Sequence, residues 1–244
     1  MAAHTMTLHI ARALTGLALA TTLSSGWAAE VTISGWAFGS GNAVNVSGSG
    51  VPGSGYTGAA GGFTGKLTGA GSFDSNSFLA YCIELEEQLS FGATAVSGYT
   101  VLSGASYFDT RRSINPSRPD GPSTATRLGQ LVTWAQADPT RVDTAGESTA
   151  MQLAIWNIVY DTDWTVAATS GSFRDSSSYQ SLATQMLQGA SGVTSQYTIS
   201  ALSLSGKQDL LLATRNGAVP TPGTLALVGL GLAGAVMVLR KRRG

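Results

Sequence analysis

Histidine is nearly missing from this chain of 244 residues: the two present, His4 and His9, both fall within the first thirty positions. Once that segment is removed, the body holds no histidine. This excludes Ser-His and Cys-His catalysis, His-ligated zinc or copper, and any imidazole acid or base. Cysteine is reduced to Cys82, so an intramolecular disulfide is impossible. In an exported protein a lone cysteine is free, intermolecular or committed to other chemistry. Charge is scarce too, at 11% of residues against a usual value of about 25%. With Arg12 and the cluster Arg240, Lys241, Arg242, Arg243 set aside, residues 30–223 hold nine Lys and Arg against fourteen Asp and Glu, a net −5. No basic footprint for nucleic acid exists in the body, and no Gly-rich phosphate loop lies between a strand and a helix. A nucleic-acid partner is excluded, and no cofactor or resident metal is implied.

What the sequence has in quantity is small and apolar residues, including 31 glycines, and two ends that read as targeting segments. Residues 1–28 run through Arg12 and the apolar stretch 13–23 to a small-x-small pair, Gly26 and Ala28. Signal peptidase requires that pair, so cleavage is expected between Ala28 and Ala29. The apolar run is too short for a membrane span of about 20 residues. At the other end, residues 224–239 form an uncharged run of sixteen, preceded by Pro220-Thr221-Pro222 and closed by the Arg/Lys cluster. Snorkelling basic heads extend the reach of such a helix, and the cluster stays cytoplasmic. Roughly 190 residues remain between the two ends, enough for about one domain.

The tail, Val219 through Leu227 with the Gly-Leu-Gly-Leu-Ala-Gly run at 229–234 and Arg240, Arg242 and Arg243, resembles the PEP-CTERM sorting signal. That family comprises exported proteins of Gram-negative bacteria, often exopolysaccharide producers. The resemblance covers residues 219–244 and implies transient insertion in the inner membrane, processing by an exosortase-like membrane protease, and delivery to the cell surface or beyond. Thr221 stands where the family usually has Glu.

In the body, β-branched and apolar alternation at 31–38 and 43–47 predicts strands, followed by Gly-rich loops to about residue 62. A second β region is expected over 78–89 and 99–108, and a Pro-rich surface loop over 111–122. The period then becomes helical over 126–137. A stronger helix starts at the capping box Thr144-x-x-Glu147, and its apolar residues cover the whole circumference through Tyr160, which predicts burial. A weaker helix over 177–187 and strands over 197–204 and 209–213 complete the order β, α, β. The expected fold is α+β over residues 30–215: a β-sandwich or barrel-like sheet with an inserted helical segment, flanked by the signal helix and the membrane helix.

Two residues stand out chemically. Gln152 lies in the most apolar helix, where an unpaired carboxamide costs about 1–3 kcal/mol. Cys82 lies in an equally apolar segment. A Cys thiolate can attack a Gln carboxamide, expel ammonia and leave an internal thioester that an amine or hydroxyl later opens. The bland alternative is a small core hydrophobe beside a hydrogen-bonded core amide.

Tyr81-Cys82-Ile83-Glu84 and Met151-Gln152-Leu153-Ala154-Ile155-Trp156 resemble the two signatures of thioester domains in bacterial surface adhesins. The resemblance makes Cys82 the sulfur donor and Gln152 the acyl donor. Met151 stands where those domains commonly have Thr. What it implies is a non-enzymatic surface or matrix protein attaching to an amine- or hydroxyl-bearing partner; the alternative is a structural exopolysaccharide or biofilm matrix component with no reactive bond. Lesser candidates are Glu84, Glu86 and Glu87, read as a solvated strand face or calcium ligands; Asp161 and Asp163, read as the loop after the buried helix; and Trp134, Trp156 and Trp164, read as core or as the lining of a sugar site.

Overall fold

Burial alternates along the first strand, with Ala29, Val31 and Ile33 inside and Glu30 exposed, so one face of the sheet is committed to a core from its first residue. The computed structural model describes residues 28–92 and 94–217. In chain order the elements are β1 (Ala29–Trp36), β2 (Asn42–Ser47), β3 (Tyr56–Ala60), β4 (Phe63–Thr68), β5 (Ser75–Ala80), β6 (Val96–Ser103), α1 (Gly104–Ile114), α2 (Gly121–Gln136), α3 (Ala145–Tyr160), β7 (Arg174–Asp175), α4 (Gln180–Ala190), β8 (Tyr197–Leu204) and β9 (Lys207–Arg215). Residues 1–27 of the expected signal segment 1–28, and the tail with its expected helix over 224–239, lie outside the described residues. Among the described residues no helix is long and apolar enough to cross a membrane.

Six strands form an antiparallel sheet in the order β5-β4-β1-β6-β8-β9. Its two edges meet. Beyond β5, Cys82 forms an antiparallel bridge with Leu210 of β9. The Leu211 N–H donates to the Tyr81 carbonyl at 2.9 Å and the Ile83 N–H to the Asp209 carbonyl at 3.1 Å. The sheet is thus nearly closed into a barrel, and Cys82 sits on the seam. A smaller sheet, β3-β2-β7, packs on α3. The expected mixture of barrel-like sheet and inserted helices is what the chain forms.

α3 is buried as its pattern predicts: every residue from Ser148 to Tyr160 is inside. The capping box is formed in full, with Thr144 accepting from the Glu147 N–H and Glu147 accepting from the Thr144 N–H. Leu153, Ile155 and Ile158 are fully buried, each worth about 1.5–3 kcal/mol. α4 and the β2–β3 hairpin cover the helix from two sides. Thr149 pins the hairpin, donating to the Ala60 carbonyl at 2.7 Å and accepting from the Asn42 side chain at 3.0 Å.

Several expected boundaries shift. The region 99–108 is a strand only to Ser103. It turns into α1 at Gly104, where a Cβ would meet the Ile199 carbonyl oxygen at 2.7 Å, and Tyr107 and Phe108 become helical core. The 111–122 loop shrinks to 115–120, because α1 runs to Ile114 and α2 starts at Gly121, capped by the Asp120 carboxylate on the Ser123 N–H. Pro122 is tolerated in the first turn, where its missing N–H would go unbonded anyway. The Gly-rich stretch before residue 62 contains β3, whose register with β2 is set by pairing rather than by β-branched residues. The region 78–89 is a strand only to Ala80.

Candidate functional site

Cys82 and Gln152 are brought together. The Cys82 N–H donates to Gln152 Oε1 at 2.9 Å, and Gln152 Nε2 donates to the Cys82 carbonyl at 2.8 Å. Residues on either side of Cys82 bond to β9, while Cys82's own backbone groups turn the other way and are met by the carboxamide. Gln152 therefore does for the seam what a further strand would do. Both residues are buried, and Cys82 is in no disulfide.

The surroundings hold that segment in place. Tyr81 lies 3.4 Å from Ser148 through their hydroxyls, and the Gly62 N–H donates to the Ser148 hydroxyl at 2.8 Å. Gly62 must stay small, since a Cβ there would come within 2.8 Å of the Tyr81 ring. Burial raises the Tyr81 hydroxyl pKa to about 12, against a lowering pull from Ser148, so it stays neutral. The Cys82 thiol is pushed well above its usual range, first by burial and then by the negative charge of Glu84.

Glu84 is not on a solvated face. It is fully buried, because the chain leaves the strand pattern at Ala80 and folds the next residues inward. Its carboxylate accepts from Arg111 Nη2 at 2.6 Å and from the Asp209 N–H at 2.8 Å. Asp209 shares the same Arg111 nitrogen at 2.6 Å and accepts from the Tyr107 hydroxyl at 2.7 Å. Burial, followed by repulsion from Asp209, raises Glu84 to about 8. Glu86 pairs with Arg118 and accepts from the Tyr160 hydroxyl at 2.9 Å. Burial would lift its pKa, but the Arg118 charge and these bonds hold it below the ordinary value. Glu84, Glu87 and Asp209 bring carboxylate oxygens within 4.8 Å of one another, yet Arg111 already occupies that cluster with Glu84 and Asp209.

A cavity of about 330 Å³ opens beside the pair, walled by Trp36, Tyr56, Phe63 and Phe91, with Glu84, Glu87 and Trp156 also on its lining. Trp36 stacks on Phe63 at 4.8 Å between ring centres and meets Phe91 edge-on at 5.1 Å. Of the three tryptophans singled out by sequence, only Trp156 reaches this cavity; Trp134 and Trp164 stack under Arg141 and Arg127 elsewhere. Asp161 and Asp163 form the loop after α3 as expected, with Asp161 accepting from the Phe173 N–H at 2.9 Å. Arg111, Tyr107, Asp209 and the aromatic wall carried no sequence signal; Arg111 sat in a predicted loop and Asp209 in an apolar strand run.

Ala28 is exposed and Ala29 opens β1, paired with Tyr99, so the expected cleavage point falls at the edge of ordered sheet. The sorting-signal residues Pro220, Thr221, Pro222, Arg240, Arg242 and Arg243 lie outside the described residues.

No curated protein matches the chain in sequence. Among solved structures it is similar to the N-terminal thioester domain of a surface protein from Clostridium perfringens, a cysteine-to-alanine mutant. The TM-score is 0.42 at 18% identity, over 58% of this chain and 84% of that one. At its C-terminus, residues 218–243, the chain carries a PEP-CTERM protein-sorting motif, which implies export.

Proposed function

We propose that this is an exported cell-surface or extracellular-matrix protein whose body stores an internal Cys82–Gln152 thioester for covalent attachment to a nucleophile on a surface or matrix partner. The sorting motif supports the destination. The reciprocal pairing of the Gln152 carboxamide with the Cys82 backbone carries the chemistry.

The contacts suit that reaction. When Sγ attacks Gln152 Cδ, negative charge develops on Oε1, which already accepts from the Cys82 N–H; a fixed amide donor aimed at a forming oxyanion is the arrangement that lowers such barriers most. The S–C bond forms and the C–N bond breaks. Nε2 leaves as ammonia, taking the thiol proton with it. The same N–H then holds the thioester carbonyl. A buried site limits hydrolysis of the stored electrophile. Each molecule makes one attachment without turnover, so we read no enzymatic activity.

One observation favours the alternative, a structural matrix protein with no reactive bond. Burial keeps the Cys82 thiol protonated, and two hydrogen bonds already satisfy the Gln152 amide. The intact mass of freshly exported protein decides: one ammonia below the sequence mass, restored in Cys82→Ala, supports the thioester.

A further inference from the structure

Trp156 follows Gln152 by one helical turn on the same face of α3, about 5–6 Å along the axis. It is 3% exposed and lines the cavity, and its indole N–H has no acceptor among the described residues. On the same lining, Glu87 accepts from the Gly206 N–H at 2.8 Å through Oε1, while its buried Oε2 has no donor among the described residues. Trp156 and Glu87 thus both line the cavity beside the Cys82–Gln152 pair, and each keeps one polar atom in the wall without a partner among the described residues, a donor on Trp156 and an acceptor on Glu87. Buried polar groups rarely stay unpaired, because each costs about 1–3 kcal/mol. A hydroxyl is both donor and acceptor, so its chemistry matches both kinds of group. Near neutral pH an alkylamine arrives as an ammonium, which only donates, leaves the Trp156 N–H without a partner, and cannot attack until it loses a proton. Much of the remaining wall is aromatic, with Phe91 47% exposed, a surface suited to the C–H faces of a sugar ring.

We propose that the cavity receives a saccharide, and that a saccharide hydroxyl is the nucleophile that opens the thioester; this rests on the function proposed above. The Glu87 carboxylate takes the hydroxyl proton, since residues 28–217 contain no histidine to do so. The hydroxyl oxygen bonds to Gln152 Cδ, and the C–S bond breaks with its electron pair on sulfur. Sulfur then takes up the proton. The products are a saccharide ester at residue 152 and a free Cys82 thiol.

Full-length exported protein showing the ammonia deficit is incubated with methyl glucoside or with methylamine at equal concentration. The expected product with the glucoside is an adduct at residue 152 that hydroxylamine removes. Trp156→Phe lowers that rate about tenfold more than it lowers methylamine capture, the share of one hydrogen bond. Glu87→Gln, which keeps the side-chain shape but cannot take up the proton, has the same selective effect. Capture of methylamine alone, or equal slowing of both reactions in both variants, overturns the proposal. Ligand-observed NMR on Cys82→Ala separates the two levels. Saturable glucoside binding there, with no ammonia deficit in the native chain, refutes the thioester and the transfer step but not the saccharide site. A clear deficit with no saturable binding refutes the saccharide site alone.

Discussion

Gln152 is bonded to Cys82 through backbone atoms on both sides of its carboxamide, at 2.9 Å from the Cys82 N–H and 2.8 Å to the Cys82 carbonyl. The side chain of a buried helix thereby completes the hydrogen bonding of a barrel seam. Stability and the proposed thioester chemistry rest on the same two contacts, and substitutions at either residue test both.

Gln152→Glu keeps the size of the side chain but removes the donor to the Cys82 carbonyl when ionised and places an acid at a site 1% exposed. The unfolding free energy is expected to fall by about 1–3 kcal/mol in urea titration. No ammonia deficit should be detectable in this variant, because a carboxylate does not supply the leaving amine.

The pH dependence follows from Glu84. Its pKa is raised from 4.5 to about 8 in the folded state, so the native protein holds a proton that the unfolded chain releases. Its contribution to stability is complete below about pH 4.5 and is lost as pH rises through 8. Urea midpoints at pH 5 and pH 8.5 should show the native protein weakening over that window, and Glu84→Gln should flatten the difference. An equal slope in the variant assigns the dependence to other groups.

Thr149→Val removes the hydroxyl that bridges Ala60 and Asn42 while keeping side-chain volume. The cost is expected at about 1–2 kcal/mol. Hydrogen exchange should quicken in β2 and β3 ahead of β8 and β9, since the hairpin loses its tie to α3 whereas the barrel strands keep theirs.

Sorting through the C-terminal motif predicts two forms of the protein. The membrane-held form should contain the peptide that spans residues 224–239, and the secreted form should end before it. Mass spectrometry of the C-terminal peptide from each fraction checks this; the same end in both contradicts processing.

The sequence was most legible where local and global signals agreed. α3 announced itself through its capping box and unbroken apolar circumference, and Gln152 was conspicuous because a polar residue there needs a partner. What it pairs with was only half legible. Thioester chemistry points to the Cys82 thiol, yet the contacts the fold makes are to the Cys82 backbone, which every residue type offers equally. Glu84 was misread because a strand period was extended past Ala80, where the chain crosses to β9 and leaves the alternation. Arg111 and Asp209 meet through tertiary closure across 98 positions, a relation that periodicity does not encode. β3 escaped notice because Tyr-Thr-Gly-Ala-Ala has little intrinsic strand preference and is held by pairing with β2.

The most direct test of the thioester is the intact mass of the full-length exported protein, measured before any nucleophile is added. The expected mass is one ammonia below the sequence mass of the same polypeptide, with Cys82 unreactive to alkylation until methylamine is supplied, and Cys82→Ala at its full sequence mass. Full mass in the native protein, with a Cys82 thiol that alkylates after unfolding without prior methylamine, contradicts the thioester and leaves the Cys82–Gln152 contact as a structural pair.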